Sequence, residues 1–233
     1  MIKNITKLFG LTIGLIMSLS AFAWEPIVGV RAGVNWIDVS QNDVNTVGKG
    51  DDRYKRDTNE TNVGWGAFAG AEWEVADEWF VQAGLSYDLF DRTNIDGDIT
   101  LWGEPDQHEF DYQYKLLHQR ANAEFKLLKE WRRWYPYLTG ALGIAWNKTS
   151  DYKETSHDPY APASDYLEGE TSTQFTWSVG AGVERELTDN WRVGLGYLYT
   201  DAGSAELKSK VTGDTLEQKF STQQLVLQIN YIF

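Results

Sequence analysis

Histidine, serine and carboxylate side chains are the groups with which this 233-residue chain could do acid–base or nucleophilic chemistry. Three histidines occur, His108, His118 and His157, and there is no cysteine. The missing thiol excludes disulfide stapling, thiolate zinc sites and cysteine catalysis. Only His118 falls within a predicted strand, on the same face as Arg120 and Glu124. A catalytic base needs a nucleophile in reach. Ser86 and Ser178 point the same way, but nothing in their spacing calls for a triad, so a hydrogen-bonding histidine and no enzyme are expected. Asp91, Asn94, Asp96 and Asp98 beside Gly97 look faintly like a calcium loop. The ligand register fails, because the first position falls on Arg92. No metal and no cofactor is expected.

A larger constellation is structural. Arg31, Glu72, Glu74, Asp88, His118, Arg120, Asn122, Glu124, Glu184, Glu186, Arg192 and Gln228 alternate along the chain with apolar or small residues. Acids and bases are mixed among them. A buried charge is tolerable when paired and hydrogen-bonded, so these residues predict a network filling a lumen rather than an open channel. Arg31 and Glu72, on neighbouring strands at similar heights, are the first expected pair. Glycines on the same face make room for large neighbours such as Phe68, Phe80 and Tyr137.

The elements that must hold these groups are eight alternating segments: 27–39, 62–75, 79–90, about 110–127, 135–147, 173–187, 191–200 and about 219–233. Strand side chains alternate with period two, so each segment has one apolar face and one small or polar face. The breaks alternate too. Those after the second, fourth and sixth segments are short, whereas 40–61, 91–109, 148–172 and 201–218 are long and hydrophilic. Short turns at one end and long loops at the other characterise outer-membrane barrels. An all-β, transmembrane, up-and-down antiparallel barrel of eight strands follows as the expected fold. Such a barrel presents only every second residue to lipid, which accommodates a mean hydropathy of −0.44.

Aromatic residues fall at the segment ends. Trp73, Trp79, Trp131, Trp134, Trp191, Tyr231 and Phe233 lie near the short turns. Trp36, Tyr87, Tyr112, Trp146, Phe175 and Tyr199 lie near the long loops. Two membrane-interface girdles are expected. Two positions fit poorly: Arg185 on the lipid face, close enough to a turn to snorkel, and Gln119, which suggests a slip or bulge in the fourth strand.

Lys3 and Lys7, an apolar stretch over residues 8–20 and the small residues Ala21 and Ala23 read as a signal peptide over 1–23, leaving 24–233 as the barrel domain. A formal net charge of −13 argues against nucleic acid as a partner. Arg53, Lys55 and Arg56, set against Asp51, Asp52 and Asp57, could meet lipopolysaccharide phosphates. Lys126, Lys129, Arg132 and Arg133 are assigned to a turn and have no obvious partner.

With eight strands, the phrase Leu187-Thr188-Asp189-Asn190-Trp191 and the ending Tyr231-Ile232-Phe233, the chain resembles the small OmpA/OmpX-like outer-membrane barrels of Gram-negative bacteria. The resemblance covers residues 24–233. It implies that Leu225, Leu227, Ile229, Tyr231 and Phe233 are read by the barrel assembly machinery, and that both mature termini are periplasmic. OmpA-like proteins often carry a peptidoglycan-binding domain after the barrel. Here the sequence stops at strand eight, so that role is not carried over. The expected function is a scaffold showing four long loops for surface contact, adhesion to a host or surface ligand, or envelope integrity. A narrow porin-like channel is the alternative, and an outer-membrane hydrolase is third. Expected partners are outer-membrane lipid, lipopolysaccharide and the assembly machinery.

Overall fold

The computed structural model describes residues 24–39, 42–44, 52–56, 60–100, 108–157, 167–210 and 215–233. The expected signal segment lies outside the described residues. Eight strands close a ring: β1 (Trp24–Val39), β4 (Glu60–Ala76), β5 (Trp79–Phe90), β7 (His108–Lys129), β8 (Trp134–Ser156), β10 (Thr171–Thr188), β11 (Trp191–Ser209) and β12 (Thr215–Ile232). Each pairs antiparallel with the next. The β1–β12 ladder, from Ile27↔Ile232 to Val39↔Phe220, closes the sheet. Closure satisfies every ladder without leaving an edge, which a strand array must achieve in lipid. Tight turns at Asp77–Glu78, Arg132–Arg133 and Asp189–Asn190 join strands at one end, with Glu78 and Arg132 at positive φ.

The other end departs from the expected loops. β8 and β11 run well past the predicted boundaries, and four short strands join the ring: β2 (Asn42–Val44), β3 (Asp52–Arg56), β6 (Thr93–Thr100) and β9 (Leu167–Gly169). β6 takes the place of β5 beside the outer part of β7, β3 pairs with β6, and β2 with β3. β9 pairs with β11, and β2 lies against β12. The ring therefore continues into a second, outer storey. A belt of irregularities separates the two: the break at Asp91–Arg92, register shifts at Gln113/Lys115 and Asp201/Ser204, and positive φ at Asp151 and Gly203.

Face polarity inverts between the storeys. In the inner storey, Leu117, Phe125, Leu142 and Leu227 point outward, while Arg120, Glu124, Asn147 and Gln228 point into the ring. In the outer storey, Tyr112, Tyr114, Leu116, Leu207, Leu216 and Phe220 are buried inside, and Gln113, Lys115, Lys208 and Lys219 face out. One strand serves two solvents. Where lipid lies outside, apolar residues face out. Where water lies outside, the same strand buries them, as a soluble barrel does. β7 shows both arrangements along one strand.

Candidate functional site

Asp88 on β5 is the centre of the inner lumen. Arg31 from β1 meets it with two parallel bonds, Nε to Oδ1 at 2.7 Å and Nη2 to Oδ2 at 2.8 Å. Arg120 from β7 donates Nε to Oδ2 at 2.8 Å. Such bidentate, charge-assisted bonds are the strong kind. Arg31 also reaches Glu124 at 2.8 Å. Arg120, fully buried, finishes its donors on Thr200 at 2.6 Å and Gln224 at 3.2 Å, with Phe90 under its guanidinium. Gly66 lies between β1 and β5, paired with both Arg31 and Asp88. A Cβ there would collide with the Asp88 carboxylate, so the glycine lets the ion pair cross its strand.

The expected Arg31–Glu72 pair does not form. Glu72 is opposite Glu25 on β1, six residues from Arg31, and accepts instead from Arg192 at 2.6 Å and Gln82 at 2.7 Å. Arg192 lies over the Tyr135 ring at 4.0 Å, while Tyr135 donates to Glu186 at 3.1 Å. Lys126 corrects a second expectation. It belongs to β7 rather than to the turn, is 5% exposed, and bonds Glu184 at 2.8 Å. Gln228 and Asn230 donate to the same Glu184 oxygen. Lys126 also rests on Tyr137, whose hydroxyl occupies the space left by Gly196. Glu74, expected in the network, is exposed beside the register shift at Glu74/Ala76 and makes no hydrogen bond or ion pair among the described residues.

Arg31, Arg120, Lys126 and Arg192 thus face Asp88, Glu124, Glu184 and Glu72, a balance of four charges against four. A cavity of about 20 Å³ remains between Arg31, Glu124, Lys126 and Gln228, scarcely more than one water occupies. Ser178 and Asn122 also point inward. Ser178 is hydrogen-bonded to Thr200 and lies outside any His118 pairing.

His118 marks the seam between storeys. Its Nδ1 is 2.7 Å from Asn147 Oδ1, and Asn147 donates onward to the carbonyls of Ala202 and Ser204. Phe90 and Phe220 cover the ring. Beyond it, the buried outer-storey residues close the bore. Tyr112 and Tyr114 stack there and bind Gln218 through their hydroxyls. Tyr112 is 1% exposed, so its place in the outer aromatic girdle is overturned. The signal for this seal was legible in principle: Tyr112, Tyr114 and Leu116 alternate on the inward face of the fourth segment, and Leu216, in a stretch read as loop, continues the parity of Phe220.

On the outer wall, Trp36, Tyr87, Trp146 and Tyr199 face outward at one level, and Trp73, Trp79 and Trp191 at the other. Trp79 and Tyr87 are eight residues apart on β5. That is roughly 27 Å along a strand, or about 20–25 Å in depth once tilted, close to the height of a barrel's apolar band. Gln119 does face outward, within the outer aromatic level, where Tyr87 donates to it at 3.0 Å. No bulge falls on β7 itself: the register shift beside it, at Gln113/Lys115, carries its extra residue on β8, where Asp151 takes a positive φ. Arg185 stacks on Trp134. Leu225, Leu227, Ile229, Tyr231 and Phe233 point outward on β12, and the Phe233 amide bonds Pro26 at 3.0 Å. The side chains of Arg53, Lys55, Arg56 and His108 are outside the described set.

A closed antiparallel ring with an apolar exterior, aromatic rims and a filled polar bore is a transmembrane β-barrel of the outer-membrane kind. The chain belongs to the outer membrane protein beta-barrel domain family, whose model matches residues 9–233. A 31 kDa outer-membrane immunogenic protein of Brucella melitensis is 31% identical over 94 residues, which are 40% of this chain and 37% of that protein. The matched stretch thus spans little more than a third of the relative's length. Among solved structures, Neisserial surface protein A is 13% identical, with 89% of this chain and 97% of that one covered at a TM-score of 0.46. OprG from Pseudomonas aeruginosa is 15% identical, with 89% and 95% covered at 0.49. The chain is accordingly an outer-membrane protein.

Proposed function

We propose that this protein is a sealed, non-catalytic outer-membrane scaffold whose outer storey presents a stiff surface for contact outside the cell. The observation that carries this reading is the double closure of the bore. A charge-balanced network fills the inner storey, and an apolar core fills the outer one. His118, enclosed by Phe90, Phe220 and Asn147, has no route to a substrate, which speaks against a hydrolase. The short turns and both barrel termini lie toward the periplasm in this reading, as the family pattern of short inner turns suggests. Residues 1–23 are an export signal. The outward row Leu225, Leu227, Ile229, Tyr231 and Phe233 serves as the assembly signal. Contact is made by ordered strand surface rather than by four free loops, since rigid frames commonly carry recognition. Single-channel recording of the purified protein in planar bilayers tests the seal. Silence is the expected result, and a steady conductance would make the protein a narrow pore instead.

A further inference from the structure

The chain is acidic overall, with a net charge of −13. One sector of its wall gathers cations among the acids. Where β7 and β8 leave the apolar band, four cations face outward: Arg92 at the β5–β6 break, Lys115 on β7, and Lys148 and Lys153 on β8. Register gathers them. Lys148 is opposite Leu117, Lys115 is opposite Ser150, and Thr93, next to Arg92, is opposite Leu116. Asp151 stands among them and bonds Lys115 at 3.0 Å. That bond holds its carboxyl below the usual range, and the charges of Arg92 and Lys153 add to the effect. Arg92, Lys148 and Lys153 have no ion-pair partner among the described residues. Asp91 and Glu170 border the sector without pairing to any of the four, and Asp96, Asp98 and Asp111 line the hollow beside Lys153 at its outer margin. Across the barrel the same level carries Asp38 and Asp201, both aligned with Ser221.

Deeper on the same wall lies a lipid-facing groove of about 610 Å³, in the size range of ligand clefts (~300–1,000 Å³). Ala83, Ala123 and Gly140 form its floor, and Phe125, Leu142 and Trp177 its walls. Ala123 is eight residues from Lys115 along β7, roughly 27 Å of strand and about 20 Å of depth. The groove therefore sits at the depth of lipid tails, and the cations sit at the depth of headgroups. Tyr87, Gln119 and Trp146 bridge the two levels.

We propose that the β5–β7–β8–β10 wall binds a phosphorylated, multiply acylated glycolipid of the lipid A type. Arg92, Lys115, Lys148 and Lys153 take its phosphates, and one acyl chain lies in the groove. Charge complementarity selects this occupant. Separated, unpaired cations suit a headgroup with more than one phosphate, and each cation near an anionic lipid surface adds attraction. The inference rests on the outward orientation proposed above, because that glycolipid belongs to the outer leaflet. A micelle assay is indifferent to orientation, so failure of the site and failure of the orientation give different results.

The test is native mass spectrometry of the full folded chain in detergent, titrated with bisphosphorylated lipid A, with its dephosphorylated form and with phosphatidylglycerol. Retention of one lipid A is expected, weakened about tenfold or more when the lipid lacks phosphate. The combined variant Arg92→Gln, Lys115→Gln, Lys148→Gln and Lys153→Gln is expected to lose a similar factor. Gly140→Leu should weaken both forms of the lipid, since a Cβ there meets nothing nearer than the Ser178 carbonyl at 3.8 Å and the rest of the side chain would extend into the groove. If the fourfold variant does not fold, Lys148→Gln with Lys153→Gln, which breaks no bond, should still weaken binding about threefold. Unchanged lipid A retention in these variants, or equal retention of phosphatidylglycerol, would overturn the site.

Discussion

Two arginines share the carboxylate of Asp88, and that sharing sets the energetic weight of a single residue. Removing one member of a buried ion pair strands its partner in low dielectric. Asp88→Ala is therefore expected to lower unfolding stability by about 3–5 kcal/mol, with Asp88→Asn less severe because the amide oxygen still accepts one bond. Urea unfolding in detergent measures both. A double-mutant cycle discriminates the pairings. Arg31→Ala with Asp88→Ala should show strong coupling, and Arg31→Ala with Glu72→Ala almost none, because Glu72 answers to Arg192 and Gln82. The inward charges were readable from period-two alternation, but their partners were not. Pairing depends on sheet stagger, which puts Gly66 rather than Glu72 opposite Arg31, and one sequence carries no direct record of stagger. Lys126 was lost for a simpler reason. It continues the inward series from His118 through Glu124, but as a lysine near the end of its segment it groups with the turn cations Lys129, Arg132 and Arg133.

At the scale of the element, β7 lies in two environments. Leu116 and Leu117 are neighbours in sequence and face opposite ways. Leu116 is 2% exposed within the outer core, and Leu117 points out at the top of the apolar band. Leu116→Ala should cost about 2–5 kcal/mol, since it opens a cavity in a packed core. Leu117→Ala, with lipid able to fill the space, should cost under about 1 kcal/mol. Equal losses in denaturant titrations would mean that β7 does not invert. The inner half of this strand was legible because its polar and apolar residues alternate from Arg120 to Leu127, with Gln119 the one outward polar residue before them. The outer half was not. Its apolar residues sit on the inward rather than the outward parity, and the partner strand slips beside it at Gln113/Lys115, with the extra residue on β8. β11 hid its extension in the same way, behind the shift at Asp201/Ser204.

For the whole molecule, the belt of bulges and positive φ values marks a plane at which lipid gives way to water. Below it the bore is polar and filled, and above it the bore is apolar and packed. The seal, the stiff outer surface and the cationic lipid sector all depend on that plane. The chain contains no cysteine, so single cysteines can be introduced and spin-labelled without background. The most direct test labels the outward positions 111, 113, 115, 117, 119, 121, 123 and 125 of β7 in lipid vesicles and compares collision with oxygen and with a water-soluble relaxant. The account predicts water contact at 111–115, lipid contact at 119–125 and a crossover near 117. Water contact along the whole series, or no periodic difference from the inward positions 118–124, would contradict it.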